Sequence, residues 1–175
     1  MNELTKVVAT FPELQDQIDL LNNTLKKEGA LKVEHRNIVA WAAAVGCQNT
    51  ELLAEVLSKT GELSADDKRS VAIANSRMSV TNPYFMGRNI FPVKSGGTLD
   101  GLNFRPFPEL NIKDDVGYHY ACTAVSSVNG GYMCFSSHMN SLQSSGQSDE
   151  AIDQAQRITA AVLAIKQLMF MVHLT

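Results

Sequence analysis

Cysteine is scarce here: Cys47, Cys122 and Cys134 are the only three in 175 residues. So few, so widely spaced, do not make the disulfide frame of a small secreted domain and fit a reducing compartment instead. No N-terminal targeting pattern stands out, so a cytoplasmic location is expected. There is no excess of basic residues either. The net charge is −3, with lysines and arginines scattered along the chain, which argues against a nucleic-acid surface. Long uninterrupted apolar runs are missing too: the most apolar C-terminal stretch, Ala160 to Leu174, is broken by Lys166, Gln167 and His173 and falls short of a membrane span. No alternating strand pattern, internal repeat or low-complexity tract competes with helix.

What remains is a sequence with 45% hydrophobic residues, enough at this length to build one core without metals or disulfides. The expectation is a single all-α domain over residues 1–175. Leu14, Ile18, Leu21 and Leu25 recur at helical spacing after Pro12, with Gly29 as a stop. A helix from about Val33 ends at Gly46, Asn49 caps the next, and Ser64 caps another that carries Val71, Ala74 and Met78. Asn82-Pro83 then predicts a fresh start for a short helix from Tyr84 to Arg88. Residues 89–111, rich in proline and glycine, predict an irregular connection that wraps the body, covers a site or meets another subunit. Asp114 and Asp115 favour a helix through Val128, closed by Gly130-Gly131. Ser148 caps the last, whose apolar face includes Ile152, Ala155, Ile158, Val162 and Ile165.

Chemistry concentrates at Cys134 and His138. On a helix their i,i+4 spacing puts thiol and imidazole on one face, where His138 can stabilise a thiolate or shuttle its proton. A thiol near a helix start also faces unpaired amides and the positive end of the dipole, which favour its charged form. A buried cysteine beside a hydrogen-bonded histidine would read the same way. Cys122 and Cys47 read as structural. His119, Cys122, Cys134 and His138 are ligand types suited to zinc, but no tight knuckle joins them, so no metal is expected. Ser95-Gly96-Gly97-Thr98 lacks a Walker lysine and reads as a flexible turn. Arg88 reads as an anion-binding, subunit-contact or plain surface residue, and Trp41, Phe85, Phe91, Phe104 and Phe107 as packing area.

Asn82-Pro83-Tyr84-Phe85-Met86-Gly87-Arg88, Ala124 to Gly130 and Cys134-Phe135-Ser136-Ser137-His138 together resemble the alkylhydroperoxidase D branch of the carboxymuconolactone decarboxylase-like family, over about residues 39–169. The resemblance implies an all-helical, AhpD-like fold that forms trimers or larger rings, and an antioxidant site at a helix start. Members of that branch carry Cys-x-x-Cys, a histidine four residues after the second cysteine, and a glutamate on the preceding helix. Cys134 matches the peroxide-attacking cysteine and His138 the histidine. Gly131 stands at the first cysteine and His119 at the glutamate. The implied activity is reduction of small organic hydroperoxides through Cys134, with His138 as acid/base and His119 as relay, without a cofactor, and with an external thiol reductant because the adjacent thiol is lacking. Cys122 is a more remote candidate for a resolving thiol. Alternatives are a carboxymuconolactone decarboxylase-like enzyme and a non-catalytic helical assembly or ligand-binding protein. No nucleic-acid or membrane partner is expected.

Overall fold

Side-chain caps start four of the long helices. Asn49, Ser64, Asp114 and Ser148 each accept a hydrogen bond from the backbone N–H three residues on, satisfying a donor that the first helical turn leaves free. A computed structural model describes residues 3–26 and 28–175 of the chain. Its helices are α1 (Glu3–Thr10), α2 (Gln15–Thr24), α3 (Val33–Gly46), α4 (Thr50–Thr60), α5 (Ala65–Ile90), α6 (Asp115–Asn129), α7 (Tyr132–Ser144) and α8 (Asp149–Phe170). Among the described residues there is no strand; the protein is an all-α, single compact helical domain.

At the centre lies α6, packed against α3, α5 and α7, while α8 covers α2 and α3. Its residues from Tyr120 to Ser126 are all buried, so it is enclosed on every side. The alanines of α3, Ala40 and Ala42 to Ala44, are fully buried and let neighbouring helices approach closely. Gly117 serves the same end, because a Cβ there would lie 2.9 Å from Ile38 Cδ1.

Three features depart from the local sequence reading. The segment before Pro12 forms α1, which buries Leu4 and Val7. Helix α2 ends at Thr24, so Gly29 is not its stop; a Cβ at Gly29 would fall 2.5 Å from the Gln154 amide, whose oxygen accepts from Leu31 N and whose nitrogen donates to Thr24 O. And α5 runs unbroken through Pro83 to Ile90, where Asn82-Pro83 predicts a fresh start. Proline removes one helical hydrogen bond at a typical cost of about 3 kcal/mol, but burial of Met78, Thr81 and Asn82 along this stretch holds the helix together.

Past Ile90 the chain stays irregular up to Asp114 apart from 3-10 turns at Asp100–Leu102 and Phe107–Leu110. It is tied back to α5 at four places. Arg69 Nε donates to Leu110 O at 2.9 Å, Arg77 Nη2 to Arg105 O, Arg88 Nη2 to Val93 O at 2.6 Å, and Gly97 N to the Tyr84 hydroxyl at 3.0 Å. At the C-terminal end, Asp149–Leu174 is long and apolar enough to cross a membrane by length and composition, longer than the apolar stretch alone indicates. Here its apolar face, including Ile152, Ile158, Ala161, Val162 and Ile165, is packed into the domain core.

Candidate functional site

The α6–α7 turn assembles the site. Gly130 caps α6 at φ 68°, the left-handed conformation that glycine adopts without steric cost, and Gly131 N returns to Ser126 O at 2.8 Å. The chain then reverses into α7, bringing its residues back alongside α6. His119 Nδ1 and His138 Nδ1 meet at 2.9 Å. Cys134 sits in the first turn of α7, 8% exposed, and lines the same cavity as both histidines.

That cavity, about 420 Å³, lies between α5, α6, α7 and the irregular connection. Helix α5 contributes Arg77, Thr81 and Phe85, spaced i, i+4, i+8 on one face, with Met78 beside them. The connection contributes Leu99, Phe104 and Phe107; of the three roles the sequence leaves open for it, covering a site is one it fills. Phe107 stacks on His119, with ring centroids 6.5 Å apart and planes 7° from parallel, and Tyr118 meets His138 edge-on at 6.2 Å.

A single bond between two Nδ1 atoms needs a proton on one and a lone pair on the other, so the histidines cannot both be imidazolium. Burial pushes both below the ordinary imidazole range. His138 is lowered to about 4 by desolvation and then by His119; His119 is lowered by desolvation, with Asp115 opposing. Near neutral pH the pair is uncharged, leaving one Nε2 free as a base.

The other cysteines lie in different surroundings. Cys122 is fully buried one turn from Tyr118, and desolvation pushes its thiol up to about 12, with the Tyr118 hydroxyl opposing and Cys134 adding to the rise. Cys47 is raised by burial, against Lys166. Neither lines the cavity. Among the described residues, no group of three or more His, Cys, Asp or Glu side chains is placed to hold a metal ion.

Arg88 stands away from the cavity: its guanidinium lies over Tyr84 at 5.5 Å and bonds Val93 O, so it anchors the connection. Phe91, 74% exposed, anchors nothing, whereas Phe85, Phe104 and Phe107 face the cavity. Arg77, Thr81 and Tyr118 also line the cavity and are not singled out by the sequence. Their signal is the helical spacing of 77, 81 and 85, hidden by ending the helix before Pro83.

Fold and site together define a helical-bundle protein with one thiol and two coupled imidazoles around an apolar cavity. No family model matches the sequence. The chain is 26% identical over 158 residues to "Alkyl hydroperoxide reductase AhpD" of Mycolicibacterium paratuberculosis, covering 90% of this chain and 88% of that protein. It is 27% identical over 172 residues to the protein of the same name from Mycobacterium tuberculosis strain H37Rv, covering 95% and 94%, and 25% identical over 162 residues to that of Mycobacterium ulcerans, covering 92% and 90%. The likeness to these AhpD proteins thus extends over most of the chain at low identity.

Proposed function

We propose that this protein is a single-thiol oxidoreductase that reduces organic hydroperoxides, with Cys134 as nucleophile, His138 as its proton acceptor and His119 as the group that orients His138. The observation that carries this reading is the 2.9 Å bond between the two Nδ1 atoms in the cavity that Cys134 lines. For His138 Nε2 to accept a proton, the ring must carry its own on Nδ1 and donate it to His119 Nδ1. His119, neutral and protonated on Nε2, then supplies the acceptor that a carboxylate would supply. Lowered basicity keeps His138 unprotonated and available.

In the reaction the thiol proton passes to His138 Nε2, and Cys134 sulfur attacks the distal peroxide oxygen. The O–O bond breaks, the sulfur is oxidised to sulfenic acid, and the alkoxide leaves with the proton from His138 as an alcohol. One external thiol then displaces water to form a mixed disulfide, and a second releases the Cys134 thiol as its own disulfide forms. Gly131, at the position matched to a first cysteine, supplies no sulfur for an internal alternative. The likeness to proteins named alkyl hydroperoxide reductase supports this class of substrate, and a homo-trimeric or higher assembly in the cytoplasm is part of the same proposal.

A second reading, a decarboxylase-like enzyme acting on an acidic substrate, draws on one observation: Arg77 lines the same cavity as the histidine pair. The test is to mix reduced protein with cumene hydroperoxide and excess monothiol, following peroxide loss together with oxidation at each cysteine. Catalytic loss through a transient Cys134 sulfenic acid is expected. Consumption no faster than at an exposed ordinary cysteine would remove the peroxidase reading.

A further inference from the structure

Among the described residues, Arg77 is the one lysine or arginine that lines the cavity. No aspartate or glutamate among the described residues lines that cavity, and both histidines there are held neutral. Among the described residues the ion pairs are His35–Asp114, Lys59–Glu55, Lys68–Glu62 and Arg157–Asp153, so Arg77 has no carboxylate partner. Its guanidinium is nonetheless held in place. Nη2 donates to Arg105 O, the guanidinium also interacts with the Tyr118 hydroxyl, and the group lies 4.8 Å from the centroid of Phe104. A guanidinium has five N–H donors in a rigid fork, and contacts to the Arg105 carbonyl and the Tyr118 hydroxyl still leave donors for an anion.

The remainder of the lining is chiefly apolar, from Met78, Phe85, Leu99, Phe104, Phe107 and Met133. Arg77 is half-buried beside these apolar walls, so an anion entering there meets a charge that water screens less than on an open surface. Asp115, the acid that acts on His119, is exposed at the start of α6 and does not line the cavity. A volume of about 420 Å³ suits a molecule with an aromatic or branched aliphatic body rather than hydrogen peroxide alone.

We propose that the cavity binds molecules with an apolar body and a carboxylate, the carboxylate pairing with Arg77. Resting on the thiol reading above, the preferred substrate of Cys134 is an apolar hydroperoxide that bears a carboxylate. The body occupies the space between the phenylalanines, while Arg77 fixes one end.

The test separates binding from chemistry. Titrate the unmodified protein by calorimetry with the redox-inert carbinol of a cumene carrying a ring carboxylate, and with the methyl ester of the same carbinol. The ester is the more apolar of the two, so apolar burial alone favours it. We expect the acid to bind at least tenfold tighter, the preference to vanish in Arg77→Met, and much of it to return in Arg77→Lys. Equal binding of acid and ester to the unmodified protein, or a preference that survives Arg77→Met, overturns the proposal. In turnover, the carboxylated cumene hydroperoxide should show a lower KM than its ester at similar kcat, and Arg77→Met should raise that KM. If neither peroxide is consumed while the acid still binds preferentially, the pocket assignment stands and the thiol reading falls.

Discussion

A Cβ placed on Gly131 would lie 2.2 Å from Cγ of Asn82 and 2.5 Å from its Cβ. Asn82 is 1% exposed, and its Oδ1 accepts a hydrogen bond from the Ser126 hydroxyl at 3.1 Å, so it cannot swing into solvent. The side chain of α5 thus fills the space that a residue larger than glycine would need at the start of α7.

Installing a thiol as Gly131→Cys should therefore cost about 1–3 kcal/mol, the usual penalty of overpacking. It should also fail to create an efficient dithiol. Because even the Cβ of Asn82 is too close, relief requires Asn82→Gly rather than alanine. A thermal melt and a disulfide count by mass on the single and double variants check this; a Gly131→Cys protein as stable as the parent would show that Asn82 yields.

Reactivity should be confined to Cys134. Cys122, pushed up to about 12, and Cys47, raised by burial, stay protonated at neutral pH. Brief alkylation of the folded protein followed by peptide mass analysis should label Cys134 first and spare the other two. Cys134→Ser should abolish peroxide turnover and Cys122→Ser should leave most of it, whereas loss of turnover in Cys122→Ser would assign that thiol the resolving role.

The histidine pair carries a pH signature. In the unfolded chain His138 takes a proton near pH 6.5; in the folded state it does so near 4. Between those values the unfolded state binds more protons, so stability falls as pH drops from about 6.5 to 4. His119→Ala removes one cause of the depression and admits water against the other. The His138 ring resonances, followed by NMR, should then titrate at higher pH; an unchanged titration would remove His119 as a source of the depression. His138→Ala should slow peroxide attack by about 100-fold, a typical contribution of a positioned base.

Asp114 joins two helices. Its Oδ1 accepts from Gly117 N at 2.9 Å to cap α6, and Oδ2 meets His35 Nε2 of α3 at 2.8 Å. Burial raises its pKa, but the Gly117 N–H and His35 outweigh that and leave it lowered. Its stabilisation is therefore present above pH 4 and lost as pH falls through the folded value. Asp114→Ala should cost about 1–2 kcal/mol as a lost cap, while Asp114→Asn keeps the cap and should cost less. Urea titrations of the two variants at pH 7 discriminate, and equal losses would place the cost in the His35 contact.

Asp114 was legible only as one of two acids at a helix start, whereas the caps Asn49, Ser64 and Ser148 were legible from the sequence because their hydrogen bonds span three residues and compete with nothing distant. For the same reason Gly130 could be read as the end of α6. Pro83 misled because its penalty is local, while the compensation comes from Met78, Thr81 and Asn82 packing against other helices. With the helix continuous through Pro83, its spacing places Arg77, Thr81 and Phe85 on the one face that meets the cavity.

By itself the sequence determined the helical architecture, the cap positions and the candidates Cys134, His138 and His119, since each follows from short-range spacing or from likeness along the chain. Tertiary structure alone decided that His119 and His138 share a hydrogen bond, that Asn82 occupies the space beside Gly131, and that Arg77 rather than Arg88 enters the cavity. Those relationships depend on how α5, α6 and α7 pack together. Helical periodicity specifies which face each helix presents, while the fit between helices specifies which atoms on those faces meet.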